Sequence, residues 1–344
     1  MRTVLAGIDE AGWGPTLGPF CVGQAVLSLP GVGEGPAPDL WDVLADGVCR
    51  EPGRAGATDR RGRVPIADSK ALKLSNSVKS VHPLVHLERG VLAFERLRRG
   101  ELPASDDGLL EALGVEQSRP AWYSGEAQRL PLSMTAGEAN LSAARVEATA
   151  TRAGVRVEDI RVDVTWEPGF NEAVRERGNK ADAALAALCR HLRRLWAQWA
   201  GTHDDAGMPQ RLGIACDRLG GRVAYADVLA LMLPDATIET LEEAPARSRY
   251  MLTRAGESPR RAGIVFLSEG ESAHLPVALA SMAAKYVREV LMARFNRHWG
   301  AAYRDLAGGE LKPTAGYALD ARRWLEDMKD VLTPAQRRAL VRIA

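Results

Sequence analysis

The chain has 344 residues, 46% hydrophobic and 26% charged, a balance that supplies a sizeable core and excludes global disorder. Its length suits one large domain or two modest ones. Lys plus Arg number 45 and Asp plus Glu 44, for a net charge of +1, so a polyanionic partner would have to be met by a local basic patch.

In chain order, residues 3–8 read as a short buried strand ending at Asp9-Glu10. Gly12, Gly14, Pro15, Gly18 and Pro19 then force a turn, and Phe20 to Leu29 reads as a second strand, antiparallel to the first if the turn is tight. Residues 30–66 are rich in Gly and Pro and read as a loop or insertion. Helical periodicity runs from Val78 through Leu84, Leu87, Val91 and Phe94. Residues 100–135 are mixed, with a Trp122-Tyr123 pair. A helix is predicted over Ala139–Ala153, a strand over Val155–Trp166 and a strongly amphipathic helix over Asn179–Trp199. The second half alternates again, with a strand at Arg211–Cys216, a helix at Val223–Met232, and strands at Thr237–Leu241, Arg249–Leu252 and Ile264–Leu267. A long helix follows from Ala273 to Trp299, with Pro276 in its first turn, where a missing amide hydrogen costs little. Short helices at Ala321–Leu332 and Pro334–Ile343 close the chain. Strands and helices mixed in this order predict an α/β architecture.

Cys21, Cys49, Cys189 and Cys216 show no C-x-x-C spacing, which argues against zinc-knuckle and thioredoxin chemistry and for a reducing compartment. Two acids interrupt the N-terminus before a signal-peptide core could form, and no apolar run approaches the ~20 residues that span a bilayer. A cytoplasmic chain with no membrane partner is expected. The 38 Arg against 7 Lys fit genome composition as well as phosphate binding.

The sharpest chemical feature is Asp9-Glu10-Ala11-Gly12-Trp13-Gly14-Pro15. Neighbouring strand residues point to opposite faces, so both acids can serve one site only where the strand ends or bends. Glycines permit that bend and let backbone amides approach a ligand. Hard divalent cations favour carboxylate oxygens, and a two-ion site needs several of them.

The stretch I-D-E-A-G-W-G-P-T-L-G-P resembles the opening motif of type 2 ribonucleases H, D-E-A-G-R-G-P-x-x-G-P. Three further segments agree in order along the chain. Asp68-Ser69-Lys70-Ala71-Leu72 is similar to the family's D-S-K-x-L. Ala280-Ser281-Met282-Ala283-Ala284-Lys285-Tyr286-Val287-Arg288-Glu289 is similar to its A-S-I-x-A-K-V-T-R-D helix. Gly316-Tyr317-Ala318-Leu319-Asp320 is similar to G-Y-P-S-D of the archaeal and eukaryotic branches.

The resemblance implies a ribonuclease H-like α/β fold: a central mixed sheet of five or more strands, helices on both faces and a small helical C-terminal region. The catalytic domain would span 1–300, with insertions near 31–66, 101–135 and 241–262, and the helical region 301–344. It implies an endonuclease that hydrolyses the RNA strand of RNA–DNA hybrids with two Mg²⁺ or Mn²⁺ ions, leaving 5′-phosphate and 3′-hydroxyl ends. The partner would be such a hybrid, or a duplex containing ribonucleotides, bound by a monomer. Four carboxylates would be catalytic and hold the metal. Asp9 and Glu10 are the first two. Counting back ten from Ser281 gives Glu271, where the family usually has Asp, with Glu269 a competitor. Asp217, ending a strand, is the third, and Asp163 is the reserve. The 54 residues from Asp217 to Glu271 leave a surplus that reads as an added hairpin through residues 249–252 and 263–266.

For substrate, Gly12, Trp13 and Gly14 stand where the family's G-R-G senses the ribose 2′-hydroxyl. Both glycines can keep the backbone contribution, whereas Trp13 either stacks on a sugar or base or packs beneath the loop. Ser69, Lys70 and Lys285 would contact phosphate, although Lys285 could instead pair with Glu289 at i,i+4. Tyr317 would lie against the deoxyribose, and Arg247 and Arg249 could extend a basic strip. His274 is the histidine nearest the site, and a locally satisfied role suits it. Two other readings stay open: a ribonuclease H-like nuclease acting on structured DNA, and a non-catalytic nucleic-acid-binding paralogue.

Overall fold

The computed structural model describes residues 1–31, 35–53, 56–78, 80–204 and 206–343. Nine strands occur among them: β1 (Arg2–Ala11), β2 (Phe20–Pro30), β3 (Val48–Cys49), β4 (Val64–Pro65), β5 (Arg156–Thr165), β6 (Gln210–Asp217), β7 (Thr237–Glu243), β8 (Arg247–Arg254) and β9 (Arg260–Leu267). Seven form one sheet in the order β5-β2-β1-β6-β9-β8-β7, and β3 pairs with β4 apart from it. The β1–β2 and β2–β5 pairs are antiparallel, and β6 joins β1 and β9 in parallel. β8 and β7 then continue antiparallel from β9. An antiparallel meander leading into parallel strands is the ribonuclease H-like arrangement expected, here enlarged to seven strands. The enlargement differs from the one predicted. β9 belongs to the centre of the sheet, because its parallel ladder with β6 and the buried side chains Ala262, Ile264 and Phe266 fix it there. The added ribbon is β7–β8.

Each face of the sheet is covered. Val4, Ala6 and Ile8 of β1 point into one core, shared with Leu188, Leu192 and Leu195 of the helix Lys180–Trp199. The helices Glu167–Arg177 and Ala226–Met232 complete that layer. On the opposite face lies the helix Leu275–Ala307, followed by the helices Val85–Arg99 and Ala136–Ala153. Several bounds follow from local chemistry. Asn179 caps its helix by accepting from the Asp182 amide, and Thr135 and Glu138 form a capping box. The helix predicted from Val78 begins instead at Val85, just after Pro83. The long helix runs eight residues past Trp299 and ends only where Gly308 turns left-handed at φ 72°. Residues 31–66 and 101–135 contribute to the core through Trp41, Leu109 and Leu110. A buried ion pair, Arg294 to Asp106 at 2.6 Å, ties the second segment to the long helix. No described helix is long and apolar enough to cross a membrane.

Two glycines set how closely the long helix approaches the sheet. A Cβ on Gly7 would sit 2.1 Å from the carbonyl carbon of Pro276, and one on Gly23 would sit 2.2 Å from the Ala280 oxygen. These are backbone obstacles, so neither side can yield by a rotamer change. Gly23→Ala is therefore expected to destabilise the protein by about 3 kcal/mol, in the overpacking range. Urea denaturation reads this directly, and an unchanged midpoint would refute backbone contact at Gly23.

Candidate metal centre

The acids gather where two strands part. β1 pairs with β2 through Ala11, but its ladder with β6 stops at Ile8–Cys216. The strand thus runs past the predicted end at residue 8, and it is separation from β6, not termination, that opens the site. In that notch, carboxylate oxygens of Asp9, Glu10 and Asp217 lie within 4.8 Å of one another. Asp217 is the last residue of β6, and its Oδ1 accepts from the Gly270 amide at 3.3 Å. Gly270 opens the short helix Gly270–Ala273, which carries Glu271.

Crowding like charges in a buried notch raises their proton affinity. Asp9 is held well above the usual carboxylate range, first by burial and then by the charges of Glu10 and Asp217. The Glu10 amide, which donates to Oδ1 at 2.7 Å, and the nearby Ser281 side chain pull it back only in part. Glu10 is pushed up to about 7 by burial and Asp217, with Lys70 opposing. Asp217 and Glu271 are also raised, chiefly by burial. Lys70 answers this field. Burial works against its charge, but Asp68, Asp9, Glu271 and Asp217 together raise its pKa.

Glu271 stands outside the tight trio, yet its Oε2 is buried without a hydrogen-bond partner and Asp217 contributes to its shift. Glu269 is exposed, at a left-handed backbone position (φ 58°). Asp163 pairs with Arg190 at 2.8 Å on β5, two strands from β1. The structure thus separates the competitors from Asp217 and Glu271. An all-oxygen donor set, three carboxylates in mutual contact range and an unsatisfied fourth acid fit hard divalent cations such as Mg²⁺ or Mn²⁺.

The other predicted residues fall around this notch. Asp68 caps the short helix Ser69–Leu72, and Ser69 is buried with its Oγ 3.0 Å from that of Ser281. Lys285 makes the i,i+4 ion pair with Glu289 at 2.8 Å, and its Nζ also lies 3.5 Å from the Tyr317 hydroxyl. The Tyr317 ring is 47% exposed, backed by Arg288 at 5.6 Å. Trp13 is half-buried with its ring edge-on to Phe20 at 6.0 Å, so one side of the ring packs against the core beneath the loop. Gly12 needs its freedom, having φ 89° and the Pro19 oxygen 2.7 Å from where a Cβ would lie. A Cβ on Gly14 would meet nothing within 4 Å. His274 precedes the long helix, its pKa lowered by burial. Arg247 and Arg249 both face Glu242, at 2.8 and 4.0 Å.

Sequence reasoning missed three contributors. Ser281 lies inside a recognised motif; its hydroxyl donates to Ser69 at 3.0 Å and also lowers the proton affinity of Asp9. Arg288 and Arg342 are buried cations that tie the glycine loop to the C-terminal region. Arg288 donates to the carbonyls of Leu17 and Ala315, at 3.2 and 3.1 Å. Arg342 donates to Gly12 at 2.5 Å and stacks on Phe170 at 4.0 Å. An arginine 330 positions from the loop gives no local signal of such a contact.

No protein-family model matches the chain, and no curated protein matches it. Among solved structures, it is similar to RNase HII of Archaeoglobus fulgidus in its PCNA complex, at 15% identity and TM-score 0.40, over 99% of this chain and 94% of that one. Ribonuclease H2 of Pyrococcus horikoshii aligns at 13% identity and TM-score 0.38, over 99% and 92%. The Mn²⁺ complex of Bst-RNase HIII aligns at 15% identity and TM-score 0.37, over 98% and 64%.

Proposed function

We propose that this chain is a divalent-cation-dependent endonuclease that hydrolyses the RNA strand of RNA–DNA hybrids, leaving 5′-phosphate and 3′-hydroxyl ends. The observation that carries the reading is the convergence of Asp9, Glu10 and Asp217 within 4.8 Å from positions far apart in sequence. Asp9, Glu10, Asp217 and Glu271 would hold the cations. When bound, such ions supply an activated water and stabilise the leaving 3′ oxygen.

The chain's own groups do the positioning. The Glu10 amide holds one oxygen of the Asp9 carboxylate. Lys70, on the helix that Asp68 caps, presents a cation beside the acids and is suited to a substrate phosphate. The open face above Gly14 allows a sugar to approach the backbone closely. Tyr317, exposed and backed by cations, offers a flat surface for the adjoining sugar. With Trp13 committed to Phe20, no guanidinium at that position reads the 2′-hydroxyl, so recognition falls to the backbone of Gly12 and Gly14.

The test is a cleavage panel of labelled substrates, comprising a hybrid, a DNA duplex with one embedded ribonucleotide and a branched all-DNA structure, each with Mg²⁺ and with Mn²⁺. Cutting of the hybrid, with much weaker cutting at the single ribonucleotide, is the expected result. Cutting of the branched DNA alone would replace this reading with a structured-DNA nuclease. Tight hybrid binding without turnover in either metal would make the chain a binding protein.

A further inference from the structure

The segment around residues 45–63 meets the helix Ala136–Ala153 at a recess of about 340 Å³ that none of the four acids lines. Arg61, Arg63, Arg145 and Arg152 line it, with Asp46 the one carboxylate in the wall.

The recess is organised by backbone as well as charge. Asp59 accepts from the amides of Arg61 and Arg63, at 3.0 and 2.7 Å, and from the Arg63 guanidinium at 2.7 Å. This closes a turn whose Gly62 has φ 74°. A Cβ on Gly62 would sit 2.9 Å from Nη1 of Arg145, so the bare backbone is what lets that guanidinium rest against the turn. Arg63 is committed to Asp59. Arg152 meets Asp46 at 3.1 Å, but with both side chains more than half exposed that pair holds little. Arg61 and Arg145 have no carboxylate partner among the described residues. Four guanidinium groups against two carboxylates leave two positive charges on one wall of a chain that is otherwise nearly neutral. Planar forks of this kind match phosphate oxygens.

We infer that this recess is a second phosphate-binding site, lined by residues other than the acid cluster, which takes the sugar-phosphate backbone of a duplex. The inference extends the nuclease reading by adding a backbone contact outside the acid cluster. Its test does not pass through cleavage. Backbone phosphates are read without regard to sequence, so a fluorescein-labelled 30-base-pair DNA duplex in EDTA serves as the probe. Anisotropy titrations over a range of salt concentrations give the slope of log affinity against log salt.

Removing Arg61 and Arg145 together, as Gln, is expected to flatten that slope by about 1.8 and to weaken binding at least about tenfold at 0.1 M salt, the loss of two phosphate contacts. The double replacement by Lys should keep most of the slope. Both side chains are exposed, so thermal melts should coincide with the parent's. Replacing the exposed pair Arg156 and Arg175 by Gln controls for bulk charge. An unchanged slope in the Arg61/Arg145 variant, an equal loss in the control pair, or no duplex binding by the parent would each overturn the assignment. A parent that binds the duplex, with the slope flattened in the Arg61/Arg145 variant, but cuts no hybrid in either metal would count against the nuclease reading alone.

Discussion

Asp9→Asn is expected to lower hybrid cleavage by at least about 10³-fold while raising the melting temperature of the metal-free protein. The loss follows from removing a charged ligand at the centre of the trio, and its scale is that of deleting a group that stabilises transition-state charge. The gain follows from the same geometry. Asp9 is buried beside Glu10 and Asp217, and all three resist ionisation. The amide keeps an oxygen for the Glu10 N–H but brings no charge, so repulsion falls without loss of that hydrogen bond. Melting should rise by roughly 2 °C for each kcal/mol of repulsion relieved. The paired readout separates chemistry from folding, because a misfolded variant would lose both activity and stability. Parental turnover in the variant would remove Asp9 from the reaction.

The sheet was legible in the sequence because its signals are local. Apolar runs of strand length ending in Asp9-Glu10 and Asp217 give β1 and β6, and the caps at Asn179 and Thr135 mark helix starts. The third and fourth acids were harder to place. Asp163 and Glu269 have the same residue chemistry as Asp217 and Glu271, and only the β1–β6 pairing and the partner of Asp163 tell them apart. The long helix was evident from its periodicity, but its closeness to the sheet was not. Gly7 and Gly23 facing the small-residue run Ala278, Ala280 and Ser281 could have signalled it. The Arg342 contact was beyond reach, since long-range pairing of a buried cation with loop carbonyls leaves no periodic or spacing signature. The assignment of β9 to an added hairpin failed for a related reason, because β8–β9 adjacency in sequence masks the parallel β6–β9 ladder.

In the absence of metal, Glu10 and Glu167 should each lower stability as pH rises from about 4.5 to about 7, against the opposite pull of the buried His86 and His191, both lowered to about 4, and Mn²⁺ should cancel the share of Glu10. Glu10 and Glu167 are each raised from 4.5 to about 7, chiefly by burial. A carboxyl whose pKa is higher folded than unfolded binds its proton more tightly in the folded state. Between the two values the folded chain therefore holds more protons, and the slope of unfolding free energy against pH is negative. The contribution is fully present below the unfolded value and lost once pH passes the folded one. Each shift corresponds to about 3 kcal/mol. Divalent cations compete with protons for the Asp9, Glu10 and Asp217 oxygens, so they bind best where those groups must ionise. The rise in melting temperature on adding Mn²⁺ should accordingly be small at pH 5 and large at pH 8. Glu167 is not part of that cluster. Its carboxylate faces the Tyr123 hydroxyl, and its share of the slope should persist with Mn²⁺ present and vanish in Glu167→Gln. Thermal melts from pH 4.5 to 8, with and without Mn²⁺, read both effects. A Mn²⁺ shift of equal size at both ends would show that the three acids do not share a cation, and an unchanged pH slope in Glu167→Gln would remove Glu167 from it.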